Sequence, residues 1–331
     1  MKDGAATGLG GRGLPWKRLG SGSRGRVVDY AFMAVFVLLV LVAAFSSEFF
    51  FSQTNLTNIA RQIVTNGLIS LGMLVVILTG GIDLSVGAVV ALAGIMASGV
   101  QADLPVALAV VIALAVGSTA GAVNGFLVAR FRLAPFIVTL ATLSAFRGLV
   151  FVYSDTPITP ADLSFRSLLG GGFIGPVPVP VVFMVICYVI VWLFVGRTTP
   201  GRAIVAIGGN AEAVRLAGVP VRPHMVLAYI LSGFLSALAG VLLVSRLGIA
   251  QPNVGVGYEL DAIAACVIGG AILGGGGGSV IGTLGGVLTL GLIDNLLNLF
   301  NVQSYYQQIL KGLIIVVAVL ARRITTADEL S

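Results

Sequence analysis

Phe183-Met184-Val185-Ile186-Cys187-Tyr188-Val189-Ile190-Val191-Trp192-Leu193-Phe194-Val195 runs without one charged residue. Within Pro178 to Val195 it approaches the roughly 20 apolar residues that a helix needs to cross a hydrocarbon core of ~30 Å. The run has no alternation of apolar and polar residues, so it does not read as a strand of a membrane barrel. Tyr30 to Phe45 and Ile69 to Leu78 repeat the pattern. Across all 331 residues, 57% are hydrophobic, 10% are charged and the mean hydropathy is +1.06. A soluble domain usually carries roughly 25% charged residues, because water surrounds it on all sides. The expected fold is therefore an all-α integral membrane protein, whose helices pair every backbone N–H and C=O internally.

The same ruler predicts about ten transmembrane helices: Val27 to Phe45, Ile63 to Thr79, Leu84 to Val100, Pro105 to Ala129, Ala134 to Tyr153, Pro178 to Val195, Met225 to Ser245, Tyr258 to Leu273, Val280 to Leu299 and Tyr305 to Ala321. Basic residues set the orientation, because cytoplasmic loops collect Lys and Arg. An even count with both termini cytoplasmic puts Lys2, Arg12, Lys17, Arg18, Arg24 and Arg26 inside, followed by Arg130 and Arg132, then Arg197, Arg202, Arg215 and Arg222, and finally Arg322 and Arg323. Only Arg166 falls clearly in an outside loop. The net charge of +6 follows from this bias and calls for no nucleic acid.

Three regions follow. Residues 1–26 are rich in Gly, Arg and Ser without periodicity and read as a disordered basic cytoplasmic tail. Residues 27–321 form the transmembrane domain, including a cytoplasmic loop at 196–224, and residues 322–331 form a cytoplasmic C-terminal tail. A retained signal anchor fits the first apolar run better than a cleaved signal peptide. Cys187 and Cys266, both inside apolar runs, form neither a disulfide framework nor a zinc site, so no metal is expected.

Charges at membrane depth are costly, and they usually face the bundle or a watery path. Asp83, Arg147, Asp261, Asp294 and Lys311 occupy such positions. In Thr79-Gly80-Gly81-Ile82-Asp83-Leu84-Ser85, the paired glycines allow a sharp turn, and Asp83 with Ser85 can cap the next helix. A gating contact on a transport path is the other reading of Asp83. Before the eighth segment lies Gly255-Val256-Gly257-Tyr258-Glu259-Leu260-Asp261, and after it Gly274 to Gly278. Helices interrupted in this way point to a transport path, although Glu259 and Asp261 equally suit the start of a helix dipole.

No Lys-Ser or Lys-Thr follows the glycine run, so a Walker nucleotide site is absent and any ATP would be bound by another subunit. Gly117, Gly121 and Gly125 read as a close helix-packing face. Arg147 to Val152 resembles Lys311 to Val316 in kind at an offset of 164 residues, and Gly121-Ala122-Val123 falls on Gly285-Gly286-Val287. A shift by five helices would make this a weak inverted repeat.

Gly196 to His224 is the long inside loop. Within it, Asn210 suits a helix N-cap, Glu212 the first turn and Gly218 the left-handed position after the last turn, and Pro220 blocks continuation. A two-turn helix is unstable alone, so it must be held between the bundle and something else, or pack on its own bundle as an ordinary loop. His224 reads as solvated.

Three blocks carry a resemblance: Ile77 to Gly87, Gly201 to Ala213, and Gly257 to Ala265 with Val267-Ile268-Gly269-Gly270; the ending Val302 to Gly312 is similar too. Together they resemble permease subunits of bacterial ABC monosaccharide importers, the ribose-type branch of the branched-chain amino acid/ribose permease superfamily. Position 277 is glycine where such permeases often carry a polar residue.

The resemblance implies a multi-pass permease of the bacterial plasma (inner) membrane, surrounded by lipid and paired with a second permease copy as a homodimer. It implies a cytoplasmic ABC ATPase that holds the ATP and Mg, with no cofactor in this chain, and an extracytoplasmic sugar-binding protein. The chain itself would be no enzyme. ATPase coupling would fall to Gly201, Arg202, Gly208, Gly209, Asn210, Glu212, Arg215 and Gly218. The translocation path or gate would draw on Gly80, Gly81, Asp83, Ser85, Asn124, Glu259, Asp261, Asp294, Asn295, Asn298 and Gln307, with Asn66 a further hydrogen-bonding candidate. The substrate would be a neutral monosaccharide, a pentose such as ribose foremost. The rival reading is an ion-coupled secondary transporter using Asp83, Asp261 or Asp294; a structural scaffold is disfavoured by the charges at depth.

Overall fold

The computed structural model describes residues 36–45 and 48–327. The tail 1–26, the start of the first span and the last four residues lie outside them. The described chain is nearly all helical: α1 (Phe36–Phe45), α2 (Gln53–Leu78), α3 (Val86–Gly99), α4 (Val106–Phe131), α5 (Pro135–Tyr153), the single turn α6 (Leu163–Phe165), α7 (Val179–Arg197), α8 (Thr199–Leu216), α9 (Val221–Leu247), α10 (Tyr258–Ile268), α11 (Val280–Leu299) and α12 (Ser304–Ala327). A two-residue antiparallel hairpin, β1 (Phe173–Ile174) with β2 (Val177–Pro178), precedes α7.

Six of the described helices, α2, α4, α5, α7, α9 and α11, are long and apolar enough to cross a membrane. Two expected spans come out shorter. The third ends its α-helix at Gly99 and continues as a tighter turn to Ala102, and the eighth stops at Ile268 because Gly269 and Gly270, the latter at φ +94°, turn the chain away. Conversely, α2 begins at Gln53 rather than Ile63. Ser52 Oγ accepts from Asn55 N at 3.2 Å, and the polar turns that follow extend the helix beyond its apolar portion. α12 continues past Ala321 to Ala327.

α2 and α9 form the centre, and most of their residues are buried. Around them α4 packs on α9 while α11 packs on α2, and α3 touches α9 while α10 touches α2. α3 pairs with α4 and α5 on one side, and α10 pairs with α11 and α12 on the other. The glycine face of α4 makes one of the closest of these contacts: Gly121 lies against the Tyr229 carbonyl, Gly117 against Gly233 and Ala237, and Gly125 against Val226. A side chain at Gly121 would collide with α9 backbone, so residue size sets the helix separation. The apolar exterior is shared by α4, α5 and α7, with Val111 and Phe126, Phe136 and Ile137, and Val185, Ile186 and Ile190 exposed.

The expected 196–224 loop is largely helical. Thr198 Oγ1 caps α8 by accepting from Gly201 N at 3.1 Å. Gly201, Ile204 and Ile207 are buried, a three-residue spacing that makes one face of a helix. Along the sequence the first half of α8 reads as loop, because its glycines and low apolar content hide this spacing.

Candidate functional site

α8 kinks at Asn210, whose φ of −161° and ψ of 96° are extended rather than helical. Its side chain restarts the helix, Oδ1 accepting from Ala213 N at 2.9 Å. The second half ends as its residues dictate: Gly218, at φ +82°, donates to Arg215 O at 3.0 Å, and Val219 N donates to Val214 O at 3.2 Å. Both bonds satisfy carbonyls that the helix end leaves open. Arg215 Nε donates to Glu212 Oε2 at 2.9 Å, and the guanidinium hydrogen bond is the main cause that holds the Glu212 carboxyl below the ordinary value of 4.5. Residues 209–213 and 215–218 are exposed, with Leu216 at 75%. The first half of α8 is thus anchored in the bundle and the second projects from it with an apolar tip and an arginine. Arg202 is exposed on the anchored half.

At the inner edge of α8, three glycine segments meet that stand far apart in the chain. Gly276 N donates to Leu78 O at 3.1 Å. A Cβ on Gly275 would lie 2.7 Å from Gly80 N and 2.8 Å from Gly208 Cα, and one on Gly276 would lie 2.8 Å from Gly209 Cα. Gly80, Gly275 and Gly276 also hold φ of +84°, +93° and +73°, a region that side chains disfavour. The sequence marked Gly80-Gly81, Gly208-Gly209 and Gly274 to Gly278 separately; their meeting is a product of the fold.

Next to this joint sits a fully buried polar knot. Asp83 Oδ1 accepts from Ser85 N at 3.1 Å and Ser85 Oγ at 2.6 Å, and Oδ2 accepts from Ser232 Oγ at 2.9 Å. Asn124 Nδ2 donates to Ser85 Oγ at 2.8 Å. Asp83, Ser85, Asn124 and Ser232 are at most 1% exposed. The expected cap of α3 is not made: its N-cap is Ser85, whose side chain accepts from no helix amide, and the one backbone amide among the described residues that donates to Asp83 is that of Ser85, which precedes the helix. The Asp83 carboxylate instead ties the α2–α3 turn to α9 and, through Ser85, to α4. Gly81 lies beneath the Tyr229 hydroxyl. Ser232 and Tyr229 were missed by sequence reasoning, since a serine and a tyrosine inside an apolar helix carry no local signal.

A second cluster joins α10, α11 and α12. Lys311 Nζ lies 3.0 Å from Asp261 Oδ2 and 3.1 Å from Asp294 Oδ2. The three side chains are 21%, 13% and 7% exposed, so one ammonium serves two largely buried carboxylates. Asn295 and Asn55 exchange amide bonds of 2.8 and 3.3 Å between α11 and α2. Gln307 Nε2 donates to Asn298 Oδ1 at 2.9 Å and to Val302 O at 2.8 Å. Arg147 Nη1 donates to the carbonyls of Pro252 and Val254, at 2.6 and 2.8 Å, at the entry to α10. Glu259 is half-buried near Gly87, where α3 starts. Asn66 is half-buried on α2, apart from these clusters. The candidate residues therefore do not share one pocket: three groups stand out, the exposed α8 elbow with its glycine joint, the Asp83 knot and the Lys311 cluster, beside Glu259, Asn66 and the Asn55–Asn295 and Asn298–Gln307 pairs. Among the described residues no group of His, Cys, Asp and Glu could hold a metal ion.

The family model for the branched-chain amino acid transport system / permease component matches residues 55–319. The chain is 46% identical over 299 residues to the ribose import permease protein RbsC of Bacillus subtilis (strain 168), covering 88% of this chain and 91% of that one. It is 44% identical over 293 residues to the protein of the same name in Escherichia coli (strain K12), covering 87% and 91%. To the L-arabinose transport system permease protein AraH of Escherichia coli (strain K12) it is 38% identical over 311 residues, covering 91% and 92%. No solved structure matches the chain.

Proposed function

The chain belongs to the family of branched-chain amino acid transport system permease components, and from that membership we propose that it is the permease subunit of an ATP-driven importer of a neutral monosaccharide, a pentose such as ribose. The observation that carries this reading is the 46% identity with a ribose import permease across nearly the full length of both chains. The chain is an integral, multi-pass protein of the bacterial inner membrane and a permease rather than an enzyme. Ten crossings place both termini in the cytoplasm, with the basic tail 1–26 and the residues after 321 flanking a single membrane domain. An inverted repeat relates α2 to α9, α3 to α10, α4 to α11 and α5 to α12. It is supported by the matched pairings α4 on α9 with α11 on α2, and α3 on α9 with α10 on α2.

In this reading two copies of the permease pair in lipid, a sugar-binding protein delivers substrate from outside, and an ABC ATPase docks from the cytoplasm and holds ATP and Mg. No cofactor resides in this chain. The exposed elbow of α8 is the docking element: Arg202, Asn210, Glu212, Arg215 and Gly218 shape or present it, and Gly201, Gly208 and Gly209 seat it on the bundle. The path or gate involves Gly80, Gly81, Asp83, Ser85, Asn124, Glu259, Asp261, Asp294, Asn295, Asn298 and Gln307. Ion coupling is the weaker reading, because the Asp83 carboxylate is engaged by two serines and Asp261 and Asp294 share Lys311.

The test is uptake in proteoliposomes. With its ATPase and binding protein, the permease should accumulate ribose only when ATP is present, and vanadate should stop it. Sugar accumulation by the permease alone under an ion gradient would overturn the reading.

A further inference from the structure

No residue of the run Gly274 to Gly278 is among those assigned above to ATPase coupling or to the path, yet the run touches elements that carry both. It connects α10 to α11, so a displacement of the run moves both helices and, through Lys311, the helix α12. On its other side Gly275 and Gly276 lie in backbone contact with Gly208 and Gly209 of α8 and with Gly80 and Leu78 at the end of α2. Two further bonds keep the run taut: Ile272 N donates to Gly277 O at 2.8 Å, and Gly275 N donates to Ile272 O at 2.9 Å. Backbone packed on backbone has no flexible side chain to absorb a displacement, and packed interiors transmit strain.

We propose that Gly275 and Gly276 are positioning residues that carry the movement of the α8 elbow into α10, α11 and α12, so that the glycine run is the joint between ATPase docking and the sugar path. The inference rests on the reading of α8 as the docking element. It asks of the run something different from capping or chain reversal: the joint must stay in contact while the elbow moves. A side chain at either position would wedge the three segments apart by about its own radius. Gly270 provides a matched comparison. It holds φ +94°, at least as unfavourable for a side chain, but a Cβ there meets nothing within 4 Å. Gly270→Ala therefore imposes the backbone strain without the wedge.

The test compares Gly275→Ala, Gly276→Ala and Gly270→Ala in proteoliposomes with the ATPase and sugar-loaded binding protein, reading ribose taken up per ATP hydrolysed. The two joint variants should keep ATP hydrolysis within about twofold of the parent while uptake per ATP falls at least about tenfold. Gly270→Ala should keep the parent ratio. Equal ratios in all three variants would overturn the proposal, as would a joint variant that loses uptake and hydrolysis in proportion. If the alanine variants fail to reach the membrane, hydrogen exchange on the parent complex gives the test: ATP binding by the docked ATPase should change amide protection at 272–278 together with 208–218, and a change confined to 208–218 would overturn the proposal. Failure of the underlying reading looks different: the parent chain itself would then show no ATP-dependent uptake.

Discussion

Lys311 Nζ lies 3.0 Å from Asp261 Oδ2, and this contact fastens α12 to α10 while a second, 3.1 Å contact to Asp294 fastens it to α11. Removing the ammonium leaves two neighbouring carboxylates with no counter-charge in a poorly solvated place. Breaking a buried ion pair from one side costs roughly 3–5 kcal/mol. Lys311→Met should lower the thermal unfolding midpoint in detergent clearly, whereas Asp261→Asn, which leaves one neutral pair, should lower it much less. Equal midpoints for the two variants would refute the shared-ammonium account.

Ser232→Ala removes the donor to Asp83 Oδ2 and leaves a buried carboxylate oxygen unsatisfied, at a cost of about 1–3 kcal/mol. Ser236 sits one turn further along α9, and its buried hydroxyl has no hydrogen-bond partner among the described residues. Ser236→Ala should therefore be neutral or mildly stabilising. Urea or heat titration of the two purified variants separates these expectations.

The α4–α9 contact makes a steric prediction. Gly121→Ala forces a methyl group into the Tyr229 carbonyl, and overpacking of this kind costs typically 1–3 kcal/mol or more. Gly148, on α5, has open space around its Cβ position, so Gly148→Ala should be tolerated and should gain slightly from helix propensity. The measurement is the fraction of folded, monodisperse protein recovered after a heat step.

At the α8 elbow, Gly218→Pro demands a φ near −65° where the chain holds +82°. The variant should stay in the membrane and lose ATP-driven uptake; unchanged uptake would remove the elbow from the mechanism. Reversing the charge, as in Glu212→Lys, puts like charges at Glu212 and Arg215 and should weaken uptake in the same direction.

The Glu212 carboxyl also fixes a pH dependence. Because its folded value is lowered, the pair's contribution is complete above the ordinary value of 4.5 and fades only as pH falls through the lowered one. Binding of the ATPase to the permease, followed by pull-down in detergent between pH 8 and 5.5, should show no loss attributable to this pair.

Much of the architecture was legible along the chain. Long uncharged runs imposed helices and a membrane, because lipid leaves the backbone no other partner. Asn210 and Gly218 marked the two ends of the elbow helix through local cap chemistry, and Gly117, Gly121 and Gly125 marked a packing face through their spacing. What failed was the length of elements whose ends depend on neighbours. The first half of α8 looked like loop because its glycines are poor helix formers, yet Ile204 and Ile207 find a buried seat. α2 extends to Gln53 because Ser52 caps it beyond the apolar stretch.

Residue type and local spacing therefore determined that this chain is a helical membrane protein and which charges sit uncomfortably deep, and the resemblance of three sequence blocks pointed to a permease. Only the tertiary structure decided the partners of those charges: that Asp83 meets Ser232, 149 residues away, that one lysine serves Asp261 and Asp294, and that Gly80, Gly208 and Gly276 share one joint. The physical reason is that hydropathy, caps and glycine faces act within a few turns of one helix. A hydrogen bond, an ion pair or a backbone contact between helices depends on how those helices cross.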